Sequence, residues 1–318
     1  MERRQQFLTE EYYNSMIEFY GSAESFWLEQ ELDEDEPGQA ACLRARNIIV
    51  DRLSFIMLQY TAGKPVVTLV PALEQLIVDY ERHQVALAVY HGEPSVSPLS
   101  LDDSLCDYEE CLWVVSLCVL LHQHTLLKRF VGMIDAGGYS NSDVLYEDLV
   151  RKILPGRFEV DEFYFFAYAS LIESVYAHSA EEASGALKRY CAGWYAGFDD
   201  AQAHWYDAHL TMDDTDGAYI GYWALEAAAI AYLYNIDDSD VVHMVYPRDL
   251  VEYARNHKPE PLATEGGKVY AGQPCFRTGY WFSPAQSNSR RFFTAGEIMP
   301  EFKGSSWGAT IWYWSGEE

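Results

Sequence analysis

The sequence has no Cys-x-x-Cys pair, no long apolar run and few positive charges. Its six cysteines stand at 42, 106, 111, 118, 191 and 275, a spacing that fits neither a zinc site nor a thiol–disulfide motif. Cys111 and Cys118 are seven apart in a helical stretch and share a face, which suits small buried side chains in a reducing compartment. The longest apolar run, Leu112 to Leu121, is broken by Ser116 and falls short of the roughly 20 residues that a membrane-spanning helix needs. Acids appear by Glu10 and Glu11 with no apolar stretch before them, so no secretory signal is expected. The expectation is a cytoplasmic protein without a membrane segment.

Signatures of catalysis are missing too. There is no G-x-S-x-G elbow, no P-loop and no G-x-G-x-x-G turn, so hydrolase and phosphate-cradling chemistry have no support. His204, Asp207 and His209 lie close in sequence, but on a helix the two histidines stand ~140° apart. His122 and His124, two residues apart, point in different directions, and no H-E-x-x-H spacing occurs. No catalytic residue, cofactor or metal is expected.

What the chain does have is acid. Its 22 Lys and Arg face 49 Asp and Glu, for a formal charge of −27, and residues 258–318 hold 6 of each sign. The whole excess therefore belongs to residues 1–257. Such a field repels nucleic acid and anionic lipid and attracts a cationic partner, although acidity also serves plain solubility. The densest stretch is Glu29 to Glu36, six acids in eight residues, followed by Pro37 and Gly38. It reads as a loop between helices, either a solvated connector or a contact site. Paired acids at Asp102–Asp103, Asp199–Asp200, Asp213–Asp214 and Asp237–Asp238 fall near expected helix ends, where aspartate caps amide groups. As contacts for a basic partner the candidates are Asp33, Glu34, Asp35, Glu36, Asp199, Asp200, Asp213 and Asp214.

Helical grammar dominates. Thr9 precedes Glu10 and Glu11 and opens a helix to about Gln30; further helices fit 39–60 and 70–90. Ser100 with Asp103, Ser140 with Asp143, and Ser179 with Glu182 have capping-box spacing. They open a long helix to about Asp135, one stopping at Pro155–Gly156, and one to about Gly197. Helices also fit 161–178, 199–211, 216–235 and 247–257. From about 258 the period is lost, aromatics cluster, and Thr310 to Trp314 reads as a strand. The expected fold is mainly α, a two-part bundle of antiparallel helix pairs with a short aromatic-rich β or irregular tail. The expected parts are 1–157, 158–257 and a tail, 258–318, packed on the body.

One segment is unusually dense. If helical, Tyr219 to Tyr232 would place Tyr222, Glu226 and Ile230 on one face beside small alanines. Glu226 in so apolar a segment needs a partner when buried, such as a Tyr, Trp or Arg, unless it acts directly. Tyr219, Gly221, Tyr222, Trp223 and Glu226 are taken as a structural motif. This segment, with Ile236 to Ser239 and Tyr246 to Arg255, resembles the C-terminal half of PoNi-type immunity proteins. Those proteins accompany polymorphic nuclease toxins, including type VI secretion effectors. The resemblance covers about 190–256 and takes in Trp205 and His209. It implies a helical, two-part protein that binds a cognate toxin and blocks its active site or an essential surface, with no catalytic residues. A nuclease carries a basic groove for phosphates, so the acidity then reads as complementary to the partner. Two other readings stay open. One is an adaptor for an unrelated basic partner. The other is a carbohydrate-active or metal-dependent hydrolase, although an α/α toroid needs about twelve helices and ten are counted.

Overall fold

A computed structural model describes residues 2–33, 36–201, 203–257, 268–283, 285–286, 289–302 and 310–314. Residues 1–260 form one compact unit and residues 261–318 a second. The first unit is helical: α1 (Glu10–Glu29), α2 (Gln39–Thr61), α3 (Val70–His91), α4 (Leu105–Leu120), α5 (His124–Asp135), α6 (Val144–Val150), α7 (Ala169–Val175), α8 (Ala180–Asp200), α9 (Ala208–Thr211), α10 (Leu225–Leu233) and α11 (Arg248–Asn256).

Local chemistry sets many of the starts. Thr9 accepts from the Tyr12 amide at the head of α1, and Ser179 from the Glu182 amide at the head of α8. Two expected caps move. Ser104, not Ser100, opens α4, and Asp143 itself opens α6 by accepting from the Tyr146 amide. Asp143 is fully buried, so it also bonds the Tyr108 hydroxyl and the Tyr164 amide.

Several expected helices are shorter, among them the one expected to stop at Pro155–Gly156, which ends at Val150. The stretch to Asp135 breaks at His122, whose φ of 58° no α-helix admits, and becomes α4 and α5. Helix 161–178 shrinks to a 3₁₀ turn, Phe166–Tyr168, leading into α7; helix 199–211 shrinks to α9. The expected helix 216–235 is helical only from Leu225, because Gly217 (φ 148°) and Gly221 (φ 112°) hold an extended backbone before it.

Consecutive helices pack as α1 on α2, α2 on α3 and α7 on α8. At the centre lie α4 and α10. Every residue of α4 from Tyr108 to Leu120 is buried, as is α10 from Leu225 to Ala231. Helices apolar on all sides belong inside a bundle. Here α10 packs on α4 and α6, and α11 packs on α4. Residues on both sides of Pro155 thus build one core.

Among the described residues, strands are confined to the second unit, as expected from the loss of helical period. The strands β1 (Lys268–Tyr270), β2 (Gly279–Phe282), β3 (Arg291–Phe293) and β4 (Ile311–Trp314) form an antiparallel sheet in the order β1-β4-β2-β3. Val269, Cys275, Trp281, Phe293, Met299 and Trp312 make its separate small core.

Candidate functional site

The acids named from the sequence stand on three separate segments. Asp33 and Glu36 are exposed between α1 and α2, and Glu36 bonds the Tyr90 hydroxyl; Glu34 and Asp35 lie outside the described residues. Asp199 is exposed in the last turn of α8 and bonds the Tyr206 hydroxyl, while Asp200 closes that helix. Asp213 and Asp214 are exposed in the turn after α9. Asp213 accepts from the Thr215 amide at 2.7 Å, the Thr215 hydroxyl at 2.8 Å and the Asp216 amide at 3.0 Å, which lower its pKa. Turn capping therefore accounts for Asp213 and leaves Asp214 facing solvent.

The distribution of positive charge sharpens the field. Arg4, Arg46, Arg52, Arg82, Arg129, Arg151, Arg157, Arg189 and Arg255 each form an ion pair with an acid of the same unit. Arg3, Arg44 and Arg248, the other arginines of residues 1–257, donate to main-chain carbonyls. Several of the paired acids, among them Asp79, Glu110, Glu147 and Asp148, are buried. Arginine is thus committed to pairs within the fold or to main-chain carbonyls, and apart from a few buried acids such as Asp51, Glu109, Asp143 and Glu226, many of the remaining acids are exposed.

Inside, the dense segment is a joint between distant parts of the chain. Its extended backbone cannot satisfy itself, so side chains from the first 61 residues do so: Gln5 ahead of α1, Tyr12 on α1 and Thr61 on α2. The Gln5 amide oxygen accepts from the Tyr219 hydroxyl at 2.6 Å and the Tyr222 amide at 2.9 Å, and its nitrogen donates to the Tyr222 carbonyl at 2.6 Å. The Tyr12 hydroxyl donates to the Tyr219 carbonyl at 3.0 Å. Thr61 donates to the Ile220 carbonyl at 2.6 Å and accepts from the Trp223 indole at 2.8 Å. A Cβ on Gly221 would meet Thr61 Oγ1 at 2.2 Å and the Trp223 ring nitrogen at 2.4 Å, so glycine alone fits. The Tyr222 hydroxyl meets His209 Nδ1 at 2.6 Å.

Glu226 is 1% exposed and accepts from the Tyr190 hydroxyl at 2.7 Å and the Trp194 indole at 3.1 Å. Its neighbour Glu109, on α4, is 3% exposed and accepts from the Trp205 indole at 3.0 Å. The two indoles, Trp194 and Trp205, stack with centroids 4.5 Å apart. Burial pushes Glu226 up to about 7. Burial, with the charge of Glu226 adding to it, pushes Glu109 up to about 8. Two such carboxylates in a cleft would suit acid–base chemistry, but these are sealed from any substrate, each held by a tryptophan. Sequence reasoning found Glu226, alone among alanines, and missed Glu109 and Gln5, whose partners are distant in the chain. Among the described residues no three His, Cys, Asp or Glu side chains converge as a metal site would require, and His209 bonds Tyr222 instead. No helix of the described residues is long and apolar enough to cross a membrane.

Residues 4–131 match the N-terminal part of the PoNe immunity protein (PoNi) family, and residues 141–250 match its C-terminal part. No curated protein matches the chain. The crystal structure of protein PA2201 from Pseudomonas aeruginosa is similar over 80% of this chain and 92% of that one, with a TM-score of 0.60 and 17% identity. That likeness is one of fold.

Proposed function

The chain belongs to the family of PoNe immunity proteins, and from that premise we propose that it neutralises a nuclease toxin by stoichiometric binding in the cytoplasm. The observation that carries this reading is the match through both halves of the family. The acid left unpaired on the surface of residues 1–257 supports it. A nuclease must hold phosphates in a basic groove, so a protein that covers that groove gains from a negative surface in rate and in fit. Secretion of the toxin by a type VI system, and Asp33, Glu36, Asp199 and Asp214 as contacts, belong to the same proposal. Occlusion of the active site, or of another essential surface, is the mechanism, with no catalytic step.

Titration tests it. A candidate toxin, the purified product of the open reading frame adjacent to this gene, is mixed with increasing amounts of the protein, and nuclease activity is followed. Loss of activity should end sharply at equimolar protein. Inactivation by catalytic traces would make the protein an enzyme, and no inhibition at excess would sink the reading.

A further inference from the structure

On the first unit, where residues 163–173 run beside α8, a groove of about 510 Å³ opens to solvent. Phe165, Phe166, Tyr190, Gly193, Trp194 and Gly197 are among its lining residues. Phe166 is 82% exposed, Phe163 has its ring 6.5 Å away and is also exposed, and Phe158 is 67% exposed. A single exposed phenylalanine is ordinary on a protein surface; Phe163 and Phe166 side by side, with Phe166 lining an aromatic groove, form a patch that folding alone does not use.

The charge around the patch states what fits it. Glu159, Asp161 and Glu162, all exposed, interleave with the phenylalanines. Glu159 meets Arg151 at 3.6 Å, whereas Asp161 and Glu162 form no ion pair among the described residues. The groove's own Glu173 and Arg189 pair at 3.2 Å and cancel. Then α8 ends in Asp199 and Asp200 with no base in its last turn. The carbonyl end of a helix is already negative and favours cations, so this sequence adds negative charge where the helix least favours it. A second copy of the chain would bring two like-charged strips together on bodies that repel. A basic surface would be drawn in.

We propose that this groove and the acidic, phenylalanine-bearing strip beside it are where the partner docks. The partner's contacting face is a cationic protein surface that projects an apolar side chain between Phe166 and α8. An aromatic centre with charges at its rim is the anatomy in which a few buried anchors carry most of the affinity. The inference rests on the proposed function, since it names the surface by which the protein would hold its toxin.

The glycines supply a clean test. A Cβ at Gly193 meets nothing within 4 Å, and the residue lies inside α8, so Gly193→Leu fills the groove while the helix stays intact. Phe166→Asp removes the most exposed ring without opening a cavity. Val89→Ser, at a 72% exposed position on α3, is the control. Binding of each full-length variant to the same candidate toxin is measured by calorimetry, with melting temperature as the check on folding and sedimentation as the check on self-association. The inference predicts affinity at least about tenfold weaker for Gly193→Leu and for Phe166→Asp, with the control unchanged and all melting temperatures close to the parent's. Two well-folded variants that bind within twofold of the parent overturn the surface and leave the proposed function standing. A parent that fails to bind the toxin overturns both. A parent dimer that Gly193→Leu dissociates, with toxin binding intact, assigns the face to self-association and also overturns it.

Discussion

Glu109 and Glu226 sit where water cannot reach them, and their consequence is a dependence of stability on pH. In the unfolded chain both titrate near the ordinary 4.5; folded, burial raises them to about 8 and about 7. Between those limits the folded state holds protons that the unfolded state has released, so protonation favours folding there. The contribution of this pair to stability should therefore fall as pH rises from about 5 to about 8. Thermal unfolding across that range checks it: Glu226→Gln and Glu109→Gln should flatten the decline, and a parallel decline in the variants would contradict the assignment. Truncation tests the hydrogen bonds separately. Glu226→Ala leaves the Tyr190 hydroxyl and the Trp194 indole without their acceptor and should cost roughly 1–3 kcal/mol in denaturant unfolding. An unchanged midpoint would mean that water replaces the carboxylate. At this scale the sequence was legible only where context was local. An acid flanked by alanines announces burial, whereas Glu109, beside Glu110 in Tyr108-Glu109-Glu110, reads as solvated until Trp205 arrives from 96 residues away.

Elements are legible where a side chain closes its own backbone. Thr9 and Ser179 bond amides three residues on, and both helix starts follow from the sequence. The segment before α10 misleads because helical spacing and an extended buried strand can share the same apolar residues. Gly217 and Gly221 decide between them, through backbone angles visible only in the fold. Gly221→Ala should destabilise the protein by at least about 2 kcal/mol, because it combines a positive φ with a close approach to Thr61 and Trp223. Gly193→Ala, in the interior of α8 with open space around it, should instead be neutral or stabilising, by up to about 1 kcal/mol. Denaturant unfolding of the pair gives the contrast, and equal effects would mean that the extended joint is softer than its contacts imply.

For the whole molecule, composition and period were enough for the helical body, the strands of the second unit and the sign of the field. They could not show which charges remain outside, since that depends on where each arginine lands: Arg157, for instance, joins Asp135 to Glu147 from a loop after α6. Nor could they show the groove beside α8, which exists only once α7 has packed. The central claim is that the protein captures a basic toxin by binding, with its surplus acid drawing the toxin in. Exposed charges are screened over ~8–10 Å at 0.1–0.15 M salt, whereas contacts at the centre of an interface are dehydrated and feel salt less. Stopped-flow association and dissociation with the cognate toxin at low and physiological salt measure the two parts directly. The account predicts an on-rate that falls steeply with salt and an off-rate that changes little. A salt-independent on-rate would contradict it and leave the charge of −27 to solubility alone.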